Sequence, residues 1–353
     1  LSSAIGSSPV ATSPSITTQP ASRSMKSRVL RVHPTNSRYF TDGTKNPDGS
    51  LRAVYMTGSH TWANLQDNGL TVGSPQIQTD PPPVFDYNAY LDLLQKNNHN
   101  FIRLWKWELP KTIYGTNVWY AQPHPWVRSG LGTANDGKPK FDLRQFNQSY
   151  FDRLRSRVIA ARDRGIYASI MLFEGWHIDS APASWQYHPF HGSNNVNGIN
   201  GDANGNGKGE ETNTRDVQAV GDWQKAYVRK VIDTVNDLDN VLYEIANETS
   251  VSGSIPWQHD LLTYIKSYQA GKPKQHPVGM TWAWVQNATA DNLWNSAADW
   301  ISLGDARHEY ISDPPAAPGG KVSILDTDHT GFDVYINNAI FSRAWVWNSY
   351  LRG

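Results

Sequence analysis

One Asn-Glu pair, Asn247-Glu248, closes an apolar run in the middle of the chain. An amide can hydrogen-bond a sugar hydroxyl, and a carboxyl beside it can protonate a glycosidic oxygen. A second acidic run, Asp326-Thr-Asp328-His329, closes another apolar stretch. Alternation along a strand puts Asp326 and Asp328 on one face. Retaining hydrolysis needs two carboxyl groups about 5–5.5 Å apart, one as acid/base and one as nucleophile. Glu248 is therefore expected as acid/base, with Asp328, or else Asp326, as nucleophile.

Other residues in similar places could hold the substrate. Arg103 ends the run Asn100-Phe-Ile-Arg103, where a guanidinium can keep a carboxylate nucleophile ionised and oriented. The run Phe173-Glu174-Gly-Trp176-His177 offers a rival carboxylate, an aromatic platform and an imidazole. His60 and Trp62 lie in a polar, aromatic stretch after an early strand, and Trp105 and Trp282 lie at strand ends. His329 directly follows Asp328. Together with Asn247 these form the expected binding set.

Such residues converge only if strands bring their ends together. Apolar runs bounded by polar residues predict buried parallel strands over 53–57, 100–105, 166–173, 241–246, 277–282, 300–303 and 322–325. Helical segments fall between them, over 87–96, 145–164, 216–237, 257–268 and 291–296, with a last one near 338–351. In the second, Phe151, Leu154, Val158 and Ala161 make an amphipathic stripe. Strand alternating with helix predicts a parallel α/β architecture, and chemistry at strand tips favours a TIM-type (β/α)8 barrel. Seven strands rather than eight suggest a barrel cut short before its eighth strand. A doubly wound open sheet is the alternative, but no GxGxxG follows an early strand. Short runs at 29–32 and 38–40, followed by a turn at Asn46-Pro-Asp-Gly49, make an N-terminal hairpin that leads into 52–56. Residues 1–27 are rich in Ser, Thr, Pro and Ala and read as a disordered tail or linker, leaving 28–353 as the catalytic domain.

Composition narrows the partners. Lys+Arg and Asp+Glu balance at 32 each in 353 residues, so neither nucleic acid nor an anionic membrane is expected. No apolar run approaches the roughly 20 residues of a membrane span. The 15 Trp and 16 Tyr supply flat surfaces suited to sugar rings. Cysteine is absent, which removes disulfides and thiolate metal sites. The expected partner is a carbohydrate and the expected location secreted or periplasmic. No cofactor is expected, with one exception. Asp202, Asn204, Asn206 and Gly207 resemble the first half of a calcium loop. The second half departs, with Gly209 at an apolar position and Asn213 where a bidentate Glu belongs. Residues 194–211 are otherwise expected to form a mobile loop beside the cleft.

Three motifs in order carry a family resemblance: the 54–62 run Val-Tyr-Met-Thr-Gly-Ser-His-Thr-Trp, Leu242-Tyr-Glu-Ile-Ala-Asn-Glu248, and Asp326-Thr-Asp-His329. They resemble the apiosidase-like glycoside hydrolase catalytic domains and, more broadly, the retaining (β/α)8 glycosidases. The resemblance covers nearly all the chain after residue 28. It implies a glycoside hydrolase of plant or microbial polysaccharide, with Glu248 as acid/base, Asn247 on the sugar 2-hydroxyl and Arg103 as the strand-two arginine. The broad clan carries Glu at strand seven; this chain offers Asp, one methylene shorter. An inverting hydrolase with the same carboxylates, or a non-catalytic carbohydrate-binding barrel, are the competing expectations.

Overall fold

The computed structural model describes residues 28–70, 78–303 and 320–324. An antiparallel pair, β1 (Arg31–Val32) and β2 (Phe40–Thr41), opens the described chain. Val54 bridges back to Phe40, and helix α1 (Tyr87–Lys96) leads into β3 (Phe101–Leu104). Asp86 caps α1, its carboxylate accepting from Ala89 N at 3.0 Å. Two antiparallel hairpins follow, β4 (Lys111–Tyr114) with β5 (Asn117–Tyr120) and β6 (Trp126–Thr133) with β7 (Pro139–Phe146). Helix α2 (Gln148–Asp163), β8 (Tyr167–Glu174) and the short α3 (Trp176–Ser180) come next. The chain continues through α4 (Gln218–Val235), β9 (Val241–Asn247), α5 (Ser254–Ala270) and β10 (Val278–Thr281). It closes with α6 (Ala290–Trp294), β11 (Trp300–Ser302) and β12 (Val322–Ser323).

Six of these strands form one curled sheet in the order β3-β8-β9-β10-β11-β12, every pair parallel. A doubly wound sheet reverses its strand order at a switch point. Here spatial order follows chain order without reversal, which is the winding of a barrel. The expected first strand, 53–57, is not a regular strand. It touches the sheet through one parallel bridge, Gly58 to Phe101, with Thr57 O accepting from Asn100 N and Phe101 N. An added Cβ on Gly58 would lie 1.9 Å from Phe101 O, so only glycine allows this approach. The two hairpins were not foreseen; β7 takes residues expected at the start of the second helix. The 1–27 tail, the 338–351 helix and the tip of the seventh strand, with Asp326, Asp328 and His329, lie outside the described residues.

Alternation divides the strands between two cores. Ile102, Leu104, Ile170, Leu172, Tyr243, Ile245, Met280 and Ile301 pack beneath the helices. Helix α2 lies between α1 and α4, and α4 packs on α5. The predicted stripe Phe151, Leu154, Val158 and Ala161 is wholly buried there. The opposite face buries Phe101, Tyr167, Leu242, Trp300 and Val322. These lie at the N-terminal ends of their strands, and Leu30, Phe40 and Val54 of the opening segment cover them. The hairpin therefore seals the end of the sheet opposite the candidate site.

Gly279 marks how tightly that inner layer is packed. It pairs with both Glu244 and Trp300, and an added Cβ would fall 1.9 Å from the Trp300 indole. Gly279→Ala should lower stability by about 1–3 kcal/mol, the usual range for overpacking a filled core. Chemical denaturation measures it; an unchanged midpoint would mean the indole has room to move.

Candidate active site

Arg103 stands on the inward face of β3, two residues beyond Phe101, and Glu244 stands on the inward face of β9. Arg103 Nε donates to Glu244 Oε2 at 2.9 Å, and Nη2 donates to Oε1 at 2.5 Å. The same Nη2 donates to Asn247 Oδ1 at 3.0 Å. Glu244 is fully buried. The carboxylate that the described structure sets against Arg103 is thus Glu244, a residue the sequence reading passed over. Its one local signal was a charge in the inward register of an apolar strand.

This network orients the tip of β9. Asn247 is buried, and its carbonyl accepts from Gly175 N at 2.8 Å. Glu248 follows with φ +47°. A β-region strand that ends in a left-handed, non-glycine residue is uncommon, and such conformations concentrate where structure holds them for function. Gly175 sits against this turn, with room for no side chain. An added Cβ would lie 2.8 Å from Thr249 Cα and 3.0 Å from Glu248 O.

Aromatic rings cover the space beside the network. The Arg103 guanidinium lies 5.3 Å from the Trp105 ring centre. His60 stacks on Trp105 at 5.5 Å, and Trp62 meets it edge-on at 6.5 Å. The row continues through Trp107 and Trp119 to Trp176 and Tyr114, each ring centre within 6.4 Å of the next. Trp62 and Tyr114 are exposed at its two ends. Side-chain amides hold the row in place: Asn64 and Gln66 accept from Trp105 N and Trp107 N at 2.9 and 2.7 Å. Trp107, Trp119 and Tyr114 come from stretches the sequence reading left unassigned. Trp282 does not join the row; it is half-buried against the helix-covered core, while Trp284, two residues on, is exposed.

Glu174 and His177 were expected to meet substrate, yet both are buried. His177 Nδ1 lies 2.9 Å from Glu174 Oε2, and Trp176 N donates to Oε1 at 2.6 Å. Burial raises the pKa of Glu174; the bond from His177 opposes that rise, and the charges of Glu108 and Glu248 add to it. The Glu248 carboxylate is therefore close enough to be felt there. Behind lies a polar cluster with no local sequence signal. Lys106 Nζ is 3.1 Å from Glu108 Oε1, and Glu174 N donates to Glu108 Oε2 at 3.0 Å. Burial opposes ionisation of Glu108, but Lys106 and His188 outweigh it and hold the carboxyl below its ordinary range. Lys106, Glu108 and His188 line a small pocket with Tyr227 and Gln224.

Residues 194–211, expected to be a mobile loop, are closely hydrogen-bonded. Asn195 Nδ2 donates to three carbonyls, Pro189, His191 and Ile199, and Asn194 Nδ2 to those of Gln186 and His188. The asparagines that disfavour helix and strand hold this backbone instead. Among the described residues no group of three or more His, Asp or Glu is placed to hold a metal. No described helix is long and apolar enough to cross a membrane.

A parallel sheet wound in chain order defines a barrel-type α/β fold, and its candidate site, charged and aromatic, lies toward the C-terminal strand ends. Solved structures share this fold. A glycoside hydrolase family 5 mannosidase from Rhizomucor miehei superimposes with a TM-score of 0.52 at 11% identity, covering 85% of this chain and 72% of that one. A candidate glycoside hydrolase from Bacteroides vulgatus gives 0.51 at 14% identity over 84% of this chain, which spans about half of that protein, 47%. No curated protein sequence matches. The family model described as "Domain of unknown function (DUF6298)" matches residues 113–320, and the chain belongs to that family.

Burial makes stability depend on pH. It lowers His188 and His276 from 6.5 to about 4, and His124 to about 3. An unfolded chain binds protons that these folded imidazoles refuse, so their contribution is complete above pH 6.5 and is lost as pH falls toward their folded values. Glu174, raised by burial, runs the other way, and the three histidines together outnumber it. Melting temperature should therefore drop by several degrees between about pH 7 and about pH 5. An equal or higher melting temperature at the lower pH would show that these histidines protonate in place.

Proposed function

We propose that this protein is a glycoside hydrolase of plant or microbial polysaccharide, secreted or periplasmic, with Glu248 as general acid/base. One observation carries the reading. Glu248 leaves the tip of a central parallel strand in a left-handed turn, directly after an Asn held by a buried arginine–carboxylate pair. That is a carboxyl residue on a fixed support at the strand tip, and the aromatic row begins over the arginine of that support. The fold shared with glycoside hydrolases agrees with this, as does the resemblance to the apiosidase-like and retaining barrel enzymes.

In this reading Glu248 protonates the departing glycosidic oxygen, and Asn247 holds the 2-hydroxyl of the sugar. Asp328, or Asp326, attacks the anomeric carbon from the tip of strand seven, across the barrel mouth from strand four. A glycosyl ester forms as the leaving group departs with the Glu248 proton. Glu248 then takes a proton from water, which attacks the same carbon and frees the Asp. Trp62 and Tyr114 present exposed rings to the apolar faces of further sugar units.

Sugar release from a panel of plant and microbial polysaccharides tests the class; a protein that binds glycans but releases none is not a hydrolase. Glu248→Gln keeps shape but removes the transferable proton, so the rate on a natural glycoside should fall about 10²–10⁴-fold. Aryl glycosides with good leaving groups should lose much less in the glycosylation step. Asp328→Asn should abolish turnover on both. Full activity in Glu248→Gln would refute the assignment, and loss only in Asp326→Asn would move the nucleophile by two residues.

A further inference from the structure

We propose that the loop 202–211 is a calcium site that braces the back of the candidate active site. Asp202, Asn204 and Asn206 alternate, and Gly207 turns the chain with φ +80°. Asp202 Oδ1 and Asn204 Oδ1 both accept from Asn206 N, at 3.1 and 2.8 Å, so their oxygens converge on one point. Asp202 Oδ2 accepts from Gly207 N at 3.0 Å.

A separate observation points to a ligand there. Glu211 returns from the far end of the loop, and its Oε1 accepts from Asn204 N at 3.2 Å. The residue is only 7% exposed, and its Oε2 is buried with no hydrogen-bond partner. A buried carboxylate oxygen without a donor is unfavourable, and a cation beside it removes the penalty. Glu211 thus brings to the loop the carboxylate that a twelve-residue calcium loop keeps at its last position, where this chain has Asn213.

The donors are carboxylate, amide and carbonyl oxygens in an irregular loop, which suits calcium better than octahedral magnesium. Lys208 Nζ pairs with Glu210 at 3.5 Å, and the other oxygen of Glu210 accepts from Asn206 Nδ2 at 2.8 Å. With so few carboxylates the affinity should lie at the weak end, about 10⁻⁴–10⁻³ M. The consequence reaches the active site through Asn213, two residues after Glu211 and fully buried. An added Cβ on Gly175 would lie 3.1 Å from Asn213 Oδ1, on the same spot that meets Thr249 and the Glu248 carbonyl. Gly209 anchors the other side, pressed so closely on Trp185 that a Cβ would fall 2.2 Å from the ring. An ion closing the loop fixes Asn213 behind the tips of β8 and β9.

The test is independent of catalysis. Protein treated with chelator and dialysed is titrated with calcium alone by calorimetry, and melted with and without about 5 mM calcium or magnesium. Calcium should release or absorb heat with one-site saturation and raise the melting temperature by several degrees, with magnesium less effective. Asp202→Ala should remove both effects, and Glu211→Gln should weaken binding at least tenfold. Asn204→Asp, which adds a charge without changing shape, should tighten it at least threefold. No heat and no shift in the wild-type protein would overturn the proposal. So would an Asp202→Ala variant that responds as the wild type does, since the ion would then bind elsewhere.

Discussion

Beneath the candidate site an arginine and a glutamate share the interior of a sheet, and much of the local structure follows from that. Glu244 is fully buried and Arg103 nearly so. Two charges withdrawn from water hold their place only when geometry and further hydrogen bonds are good; removing one partner typically costs about 3–5 kcal/mol. Here the planar fork of Arg103 meets both carboxylate oxygens, and its Nη2 also donates to Asn247. The pair spans β3 to β9 across β8, so it ties together three strands whose tips carry the site. Glu248 is placed by what lies two layers below it.

The sheet interior is graded along the strands. At the N-terminal ends it is apolar, filled by Phe101, Tyr167, Leu242 and Trp300 and sealed by the opening hairpin. The ion pair forms the middle layer, where Gly279 leaves room for the Trp300 ring. At the C-terminal ends aromatic rings take over. A low-dielectric floor strengthens the pairing above it and limits water to the open end. Stability and function are thereby separated along one axis, as barrel architecture permits.

A second polar layer stands beside the first. Glu174 and His177 hold each other, and Glu108 links them to Lys106 and His188. Buried networks of this kind set side-chain position more than they add stability. Their effect falls on Gly175 and Trp176, one touching the Glu248 turn and the other joining Trp119 to Tyr114 in the aromatic row. Loop residues complete the frame from outside: Asn213 reaches Gly175, and Asn64 and Gln66 fasten the Trp-rich stretch after β3.

The sequence alone determined the alternation of strand and helix and an acid at the tip of a central strand, while the consecutive winding was decided by the observed strand order. The first two features rest on local patterns, namely apolar runs, helical stripes such as Phe151 to Ala161, and the abrupt Asn247-Glu248 ending. Tertiary structure decided the partners. Arg103 and Glu244 are 141 positions apart and meet only because parallel register turns both inward. Glu174 and His177 read as substrate ligands in a strand-tip motif, but both are buried, bonded to each other, with the His188 ring stacked on His177. Trp107 follows β3 in a stretch without regular structure, and Tyr114 and Trp119 join the row through the β4–β5 hairpin, whose four-residue strands are too short to show a period. Burial depends on what other segments bring to the same place, so a residue's chemistry could be read along the chain while its role was settled by its neighbours in space.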